Sequence, residues 1–347
     1  MLFNSWSEWI DLFEDHIKAI AFSTGFGAYT YSLLKYVANM PTKKARDFAL
    51  GAGLSSFFII EAGLMTTQKS RRKIKKARKY YDEGVRYFSE GKYQEAFESY
   101  QKNLETLKEE FGSDHTDVAM AYNNIGLVCD CQGKYEEAAG NYLQALRIYL
   151  KYFPENHPLV TKTRTNLGYV YYNQGKFHDA LNIYNQVLKS TIQQLGEDHI
   201  DVATTYNCIG LVKNGLAKYD EALELFQKAL NIYLSKLGEK NTHVASSYNN
   251  IGLVYNYQGN YVEALENYKQ ALEIFIELLG KFHPYVGTTY NNIGFVNCNL
   301  REYEAALENY EKALEIYKRQ LGEDHPNVAT AYNNIGFVCK KIGRAHV

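Results

Sequence analysis

The chain has 347 residues, with 38 Lys and Arg against 39 Asp and Glu and an apolar content of 46%, a balance that permits a folded core and excludes global disorder or a collagen-like chain. Five scattered cysteines, an odd number, make no disulfide framework and fit a reducing compartment, with the main body exposed to the cytosol. Only 5 Pro accompany 31 Tyr and 25 Gly, so helices can run uninterrupted while something recurrent demands Tyr and Gly.

Two apolar runs come first, Ile17–Asn39 with Lys18 and Lys35 near its ends, and Phe48–Met65 interrupted by Glu61. Neither is a secretory signal, because Glu8, Asp11, Glu14 and Asp15 precede them where a basic start is needed. Two readings stand side by side. One is a helical cap that covers the first repeat's open apolar face, as the ends of repeat arrays require. The other is a membrane hairpin over residues 17–66, each run reaching the roughly 17–25 residues a spanning helix needs. The hairpin is favoured by the flank: Lys69, Arg71, Arg72, Lys73, Lys75, Lys76, Arg78 and Lys79 follow with no acidic residue between Glu61 and Asp82. Such a stretch suits a cytoplasmic juxtamembrane position facing anionic lipid, although Lys43, Lys44 and Arg46 in the intervening loop oppose that orientation. No base-reading motif accompanies these charges, so a nucleic-acid partner is not expected.

From here the sequence is periodic. Gly84, Gly126, Gly168, Gly210, Gly252, Gly294 and Gly336 recur every 42 residues; Ala96, Ala138, Ala180, Ala222, Ala264 and Ala306 follow twelve residues behind, and an aromatic four later at Tyr100, Tyr142, Tyr184, Phe226, Tyr268 and Tyr310. In one unit, Val202, Ala203, Tyr206, Ile209 and Gly210 form one helical stripe, and Ala222, Leu223, Phe226, Ala229 and Leu230 a second, with a turn-like stretch between. Each unit is therefore expected to be two antiparallel helices, with the aromatic filling the space beside the Gly. Tyr206, Tyr248 and Tyr290 read as core. Between units, strings such as Leu321-Gly322-Glu323-Asp324-His325-Pro326 read as a helix stop and restart, with Asp near the N-cap and Pro in the first turn. His115, His157, His199, His283 and His325 share this slot; with no second ligand type at a ligand spacing they read as structural rather than as a metal ladder.

Gly252, Ala264, Tyr268 and Ala271, with Leu-Gly-Glu-Asp-His-Pro and Ala-Leu-Glu-Ile-Tyr strings, resemble the tetratricopeptide repeat, in the 42-residue form found in kinesin light chains. The resemblance implies an all-α, right-handed α-solenoid of tandem helix-turn-helix repeats, here preceded by an N-terminal helical hairpin. The expected divisions are residues 1–69 for the apolar region, 70–321 for six repeats, 322–343 for the first helix of a truncated seventh, and 344–347 as an artefactual tail. That tail belongs to an Ile-Gly-Arg-Ala-His-Val run matching a translated sequencing adapter, so the chain is read as an open-ended fragment. Asn103 and Val187 replace the second Ala, and Ala217 and Arg301 replace a turn Gly, which should loosen those turns.

No phosphate-cradling loop, nucleophile elbow, His-Glu-x-x-His or Cys-x-x-Cys pair occurs, and Cys129-Asp130-Cys131 is a lone Cys-x-Cys. The chain thus reads as a binding module and not an enzyme, with no cofactor and no metal. In the family, the residue three before each Gly faces the groove, which places Asn123, Asn207, Asn249, Asn291 and Asn333 in one column. An amide both donates and accepts, so such a column can hold the backbone of an extended peptide. Tyr169, Tyr172, Asn214, Leu253, Asn256, Tyr257, Phe295 and Asn299 are the neighbours expected to give specificity. Thr165 and Tyr81 break the column, and a structural role for the Asn residues, above all for Asn124, Asn166, Asn250, Asn292 and Asn334, stays open. The leading expectation is a membrane-tethered scaffold presenting a cytoplasmic groove to a protein or peptide partner. The alternatives are a soluble cargo or signalling adaptor, cytoplasmic throughout, and a sensor array joined to an enzyme domain beyond residue 343.

Overall fold

The computed structural model describes residues 68–323 and 325–345, and among them finds thirteen helices and no strand. Two compact units divide the chain after Val170. The first contains α1 (Gln68–Ser89), α2 (Tyr93–Phe111), α3 (Thr116–Cys131), α4 (Tyr135–Tyr152) and most of α5 (Pro158–Asn173). The second contains α6 (Phe177–Leu195), α7 (Ile200–Gly215), α8 (Tyr219–Leu237), α9 (Thr242–Gln258), α10 (Tyr261–Leu279), α11 (Pro284–Asn299), α12 (Tyr303–Leu321) and α13 (Pro326–Ala345). Within each unit consecutive helices pair in tandem, the all-α repeat arrangement that the 42-residue period implies. Helix α13 runs on into the first residues of the run read as a tail.

The recurrent glycines act by letting a ring in. A Cβ built on Gly210 would lie 2.6 Å from Phe226 Cε1, one on Gly126 2.9 Å from Tyr142 Cε1, and one on Gly294 2.9 Å from Tyr310 Cδ1. Phe226, Tyr142 and Tyr268 are fully buried, each burial contributing roughly 1.5–3 kcal/mol. Around Phe226 pack Ala203, Ala222, Ala229, Leu230, Tyr233 and Val244, so the core of a repeat includes the start of the next repeat's first helix. Tyr206, Tyr248 and Tyr290, expected as core, are half-buried and pack against its edge. Asn103, in an Ala position, is buried and donates from Nδ2 to the Ala77 carbonyl at 2.8 Å, a bond that ties α2 to α1.

Two expectations about turns need correcting. The substituted turns are not loose: Ala217 and Arg301 adopt φ of 56° and 65°, close to the 72° of Gly133. Their turns close with the same pair of backbone bonds, Ala217 N–H to Asn214 O and Lys218 N–H to Lys213 O, matching Gly133 N–H to Asp130 O and Lys134 N–H to Cys129 O. The turn is held by backbone bonds, and the side chain bears left-handed strain instead of abolishing it. The N-cap between repeats is the histidine and not an Asp. Nδ1 of His115, His157, His199, His283 and His325 accepts from the backbone N–H two residues on, at 3.1–3.3 Å, and Asn241 does the same through Oδ1 at 2.8 Å. A neutral imidazole supplies the acceptor that Ser or Asp gives elsewhere.

Residues 17–66, the proposed membrane hairpin, lie outside the described residues. Among the described residues no helix is long and apolar enough to cross a membrane. Of the basic run, Lys73 lies 3.4 Å from Glu109 and 3.6 Å from Glu110 of α2.

Candidate functional site

With each repeat's Gly as origin, positions −3, +1 and +5 are four residues apart and share one face of the first helix. In the second unit this face bears Asn207, Leu211 and Gly215 on α7, Asn249, Leu253 and Tyr257 on α9, Asn291, Phe295 and Asn299 on α11, and Asn333, Phe337 and Lys341 on α13, where the Lys341 Nζ lies 5.3 Å from the Phe337 ring centroid. Tyr257, Phe295 and Phe337 are 55%, 44% and 54% exposed, an unusual concentration of uncovered rings. Asn299 and Asn333 are exposed and Leu253 is half-buried. Tyr257 is backed by a near-parallel Tyr219 ring with centroids 6.1 Å apart.

Amides cross-link this face. Asn249 Oδ1 accepts from Asn292 Nδ2 at 3.2 Å and Asn291 Oδ1 accepts from Asn334 Nδ2 at 2.9 Å, so the column and the adjacent row bond to each other one repeat apart. A further pair joins Asn256 Oδ1 to Asn299 Nδ2 at 3.3 Å. Asn256 is buried and acts by fixing Asn299. Asn207 differs: its Nδ2 is 3.5 Å from Ser247 Oγ and its Oδ1 is sealed from solvent without a partner, as is Asn214 Oδ1. Beside Asn207, Thr204 Oγ1 lies 3.0 Å from Tyr233 OH. Burial pushes the Tyr233 hydroxyl up, and its bonds to Thr204 and Asn207 pull it part of the way back. Tyr317 OH repeats the device by donating to Thr288 Oγ1 at 3.3 Å.

Charge is segregated. Helices α9 and α11 contain no Asp, Glu, Lys or Arg, whereas the second helices bear exposed pairs such as Lys228 with Glu224 and Lys312 with Glu308. Among the described residues no three His, Cys, Asp or Glu side chains come together as a metal site.

In the first unit, Asn123 Oδ1 accepts from Thr163 Oγ1 at 3.2 Å, and Tyr169 is 49% exposed on α5. Tyr172 belongs to the second unit, half-buried, with its ring 5.8 Å from that of Phe177. Inter-helix hydrogen bonding, the structural role left open for Asn292 and Asn334, is what both do; the sequence marks neither their partners in the column nor the Thr–Tyr pairs. The signal was the Tyr-Asn-Asn-Ile-Gly string, where two successive amides recur every 42 residues and can therefore meet at a separation of 43.

A profile of the tetratricopeptide repeat matches residues 77–151, 159–235, 243–296 and 285–346, which is well over half of the chain; the protein belongs to the tetratricopeptide repeat family. Among curated proteins none matches by sequence. Solved structures that it resembles include BtubC (BKLC) from P. vanneervenii, at 21% identity and TM-score 0.51, covering 75% of this chain and 95% of that one. A kinesin-light-chain-type protein of nearly identical TPR-like repeats from Podosopora anserina aligns at 20% identity and TM-score 0.52, over 61% and 98% of the two chains. The apo form of RapI aligns at 15% identity and TM-score 0.55, over 77% and 99%. At these identities the likeness is one of fold. The repeat family supports a protein–protein interaction scaffold, a role that is typically non-enzymatic.

Proposed function

We propose that this tetratricopeptide repeat protein is a scaffold whose second unit takes an extended segment of a partner protein against the first helices α7, α9, α11 and α13. The observation that carries the reading is the uncharged face of α9 and α11, each with a column amide and one exposed ring. Asn249 and Asn291 are the backbone clamps; their Oδ1 atoms are fixed by Asn292 and Asn334, which orients each amide for a ligand. Leu253, Tyr257, Phe295 and Asn299 meet side chains and Asn333 extends the column, whereas Asn207 is engaged with Ser247 and buried Asn256 fixes Asn299. Asn123 and Tyr169 belong to the first unit.

The test is selection of binders from a displayed random-peptide library on the full chain, followed by the variant N249A/N291A. With about 0.5–1.5 kcal/mol for each lost hydrogen bond, the selected peptides should bind the variant about tenfold or more weakly while its circular dichroism stays helical. Undiminished binding would make the column structural and move the binding surface elsewhere. Membrane tethering through residues 17–66, with the repeats on the cytoplasmic side, is a separate proposal supported by the apolar runs and the basic flank alone. Carbonate extraction tests it: release into the wash favours the cap.

A further inference from the structure

The first helix of the array departs from all the others on one face. With each repeat's Gly as origin, positions −8, −5, −1 and +2 of a first helix meet the second helix of the preceding repeat: Ile209 and Val212 of α7 pack with Ala180 and Tyr184 of α6, and Val244 of α9 with Ala229 and Tyr233 of α8. In α3 these positions hold Val118, Ala121, Ile125 and Val128, all buried. Each later first helix repeats the series as Val, then Ala, Ser or Thr, then Ile or Leu, then Val. In α1 the same positions are Lys76, Lys79, Glu83 and Arg86, three of them exposed. The face that a preceding repeat or an apolar cap would cover is therefore charged, as the outer face of a terminal repeat must be.

That charge is mostly of one sign. Arg72, Lys75, Lys76, Arg78, Lys79 and Arg86 line one open groove with Asp82 and Glu83. Glu83 lies 3.7 Å from Lys79 and Glu90 lies 4.0 Å from Arg86, while Lys73 is spent on Glu109 and Glu110 of α2. Arg72, Lys75 and Lys76 make no ion pair among the described residues. Arg72 with Lys76, and Lys75 with Lys79, are neighbours one turn apart, and like charges at that spacing destabilise the helix that bears them. A face that only kept the end of the array in solution would mix its signs; this one holds repulsion that an anion relieves. What precedes it in the chain decides which anion. The apolar runs Ile17–Asn39 and Phe48–Met65 end just before α1 begins at Gln68, and an apolar stretch joined to a basic cluster is the pair of signals that holds a protein on an anionic bilayer, each being weak alone. A soluble acidic segment or a nucleic acid would use the charges and leave the apolar runs without a partner.

We propose that this face of α1 is a surface for anionic lipid, on which Arg72, Lys75, Lys76 and Lys79 meet the phosphates and carboxylates of the headgroups, so that the array meets the bilayer through its first helix. It rests on the membrane-tethering reading of residues 17–66, and adds to it the lipid class and the residues that read it.

The test is lysine acylation of the full chain, mapped residue by residue by mass spectrometry. Vesicles of phosphatidylcholine mixed with phosphatidylserine should slow the labelling of Lys75, Lys76 and Lys79 by about threefold or more relative to Lys228 and Lys312 on the second helices, vesicles of phosphatidylcholine alone should not, and the protection should fade as salt rises. The preference of the chain for the anionic over the neutral vesicles should fall by about tenfold or more in R72Q/K75Q/K76Q/K79Q, whose substitutions are all at exposed positions, and persist in K73Q. Absent protection, equal protection by both vesicles, or an unchanged preference in the quadruple variant overturns the proposal. Poly-glutamate or duplex DNA protecting the three lysines as well as the anionic vesicles do overturns the lipid assignment in favour of a soluble polyanion. Carbonate extraction separates the two readings: release of a chain whose lysines are protected removes the tether and leaves the α1 surface standing, whereas retention of a chain whose lysines label freely overturns the α1 surface alone.

Discussion

The first helices share one pattern, kept intact also by Tyr122–Gly126 of α3, but α9 and α11 of the second unit and α5 of the first put it to different ends. In α9 and α11 of the second unit, Tyr-Asn-Asn-Ile-Gly is kept intact; its amides pair across repeats and the face stays free of charge. In α5 of the first unit, the same positions read Arg164-Thr165-Asn166-Leu167-Gly168. Arg164, in the slot where the other repeats put Tyr, is buried, and its guanidinium reaches the Glu155 carbonyl at 3.3 Å and carboxylate at 3.5 Å. A charge brought inside must be paired, so this helix is committed to holding its own end. Binding surface and structural anchor are alternative uses of one position, and two or three substitutions decide between them.

Acid should act strongly on the caps of the first unit. Burial pushes the His115 imidazole down to about 4 and lowers His157, both in the first unit. The folded state therefore resists protons that the unfolded chain takes up near 6.5. The contribution is fully present above pH 6.5 and is lost as pH falls towards 4, by on the order of 3 kcal/mol for His115. Protonation also removes the Nδ1 acceptor that caps α3. Hydrogen exchange should therefore show α3 less protected at about pH 4.5 than at about pH 7, and H115N, which keeps a capping acceptor without titrating, should abolish most of that loss. Unchanged protection of α3 would refute the role given to His115.

The ring-over-glycine packing is common to both units and sets the scale for a second comparison. G210A places a methyl group 2.6 Å from Phe226 Cε1, and G126A places one 2.9 Å from Tyr142 Cε1, so the ring must shift in each case. The expected cost is about 1–3 kcal/mol, greater for G210A, read from the denaturation midpoint. G140A, with nothing within 4 Å of its added methyl, should instead stabilise α4 by up to about 1 kcal/mol. An unchanged midpoint for G210A would mean that this ring is free to move.

The repeat was legible because its period is set by packing: Gly210 and Phe226 are sixteen residues apart in sequence and in contact in the fold, and that relation recurs. The candidate face was legible only in outline. Asn249 and Asn292 meet because stacking brings residues 43 apart together; the sequence leaves inter-helix bonding open for Asn292 and Asn334 but does not say which amide of the neighbouring repeat each one meets. The histidine caps were hidden for another reason. The expected cap was a carboxylate, and only the backbone geometry shows Nδ1 taking the N–H of Asp201 or Tyr285.

The smallest expected effect concerns the two turns that lost their glycine, both in the second unit. Ala217 and Arg301 lie at φ of 56° and 65° with their turns fully closed, so each bears the left-handed penalty of an L-residue, about 1–2 kcal/mol. A217G and R301G should relieve it. The more flexible glycine also favours the unfolded chain by about 0.4–1 kcal/mol, which leaves a net gain of roughly 0.5–1 kcal/mol per site. The reverse change at an intact turn, G133A in the first unit or G259A in the second, should cost a similar amount, because those glycines sit at φ of 72° and 80°. Chemical denaturation of the four variants provides the comparison. If A217G and R301G fail to stabilise while G133A and G259A destabilise, the two substituted turns hold compensating contacts that the glycine turns lack. If all four shift in the expected directions, the left-handed position is a fixed requirement of every repeat, and the sequence at Ala217 and Arg301 meets it at the expense of local stability.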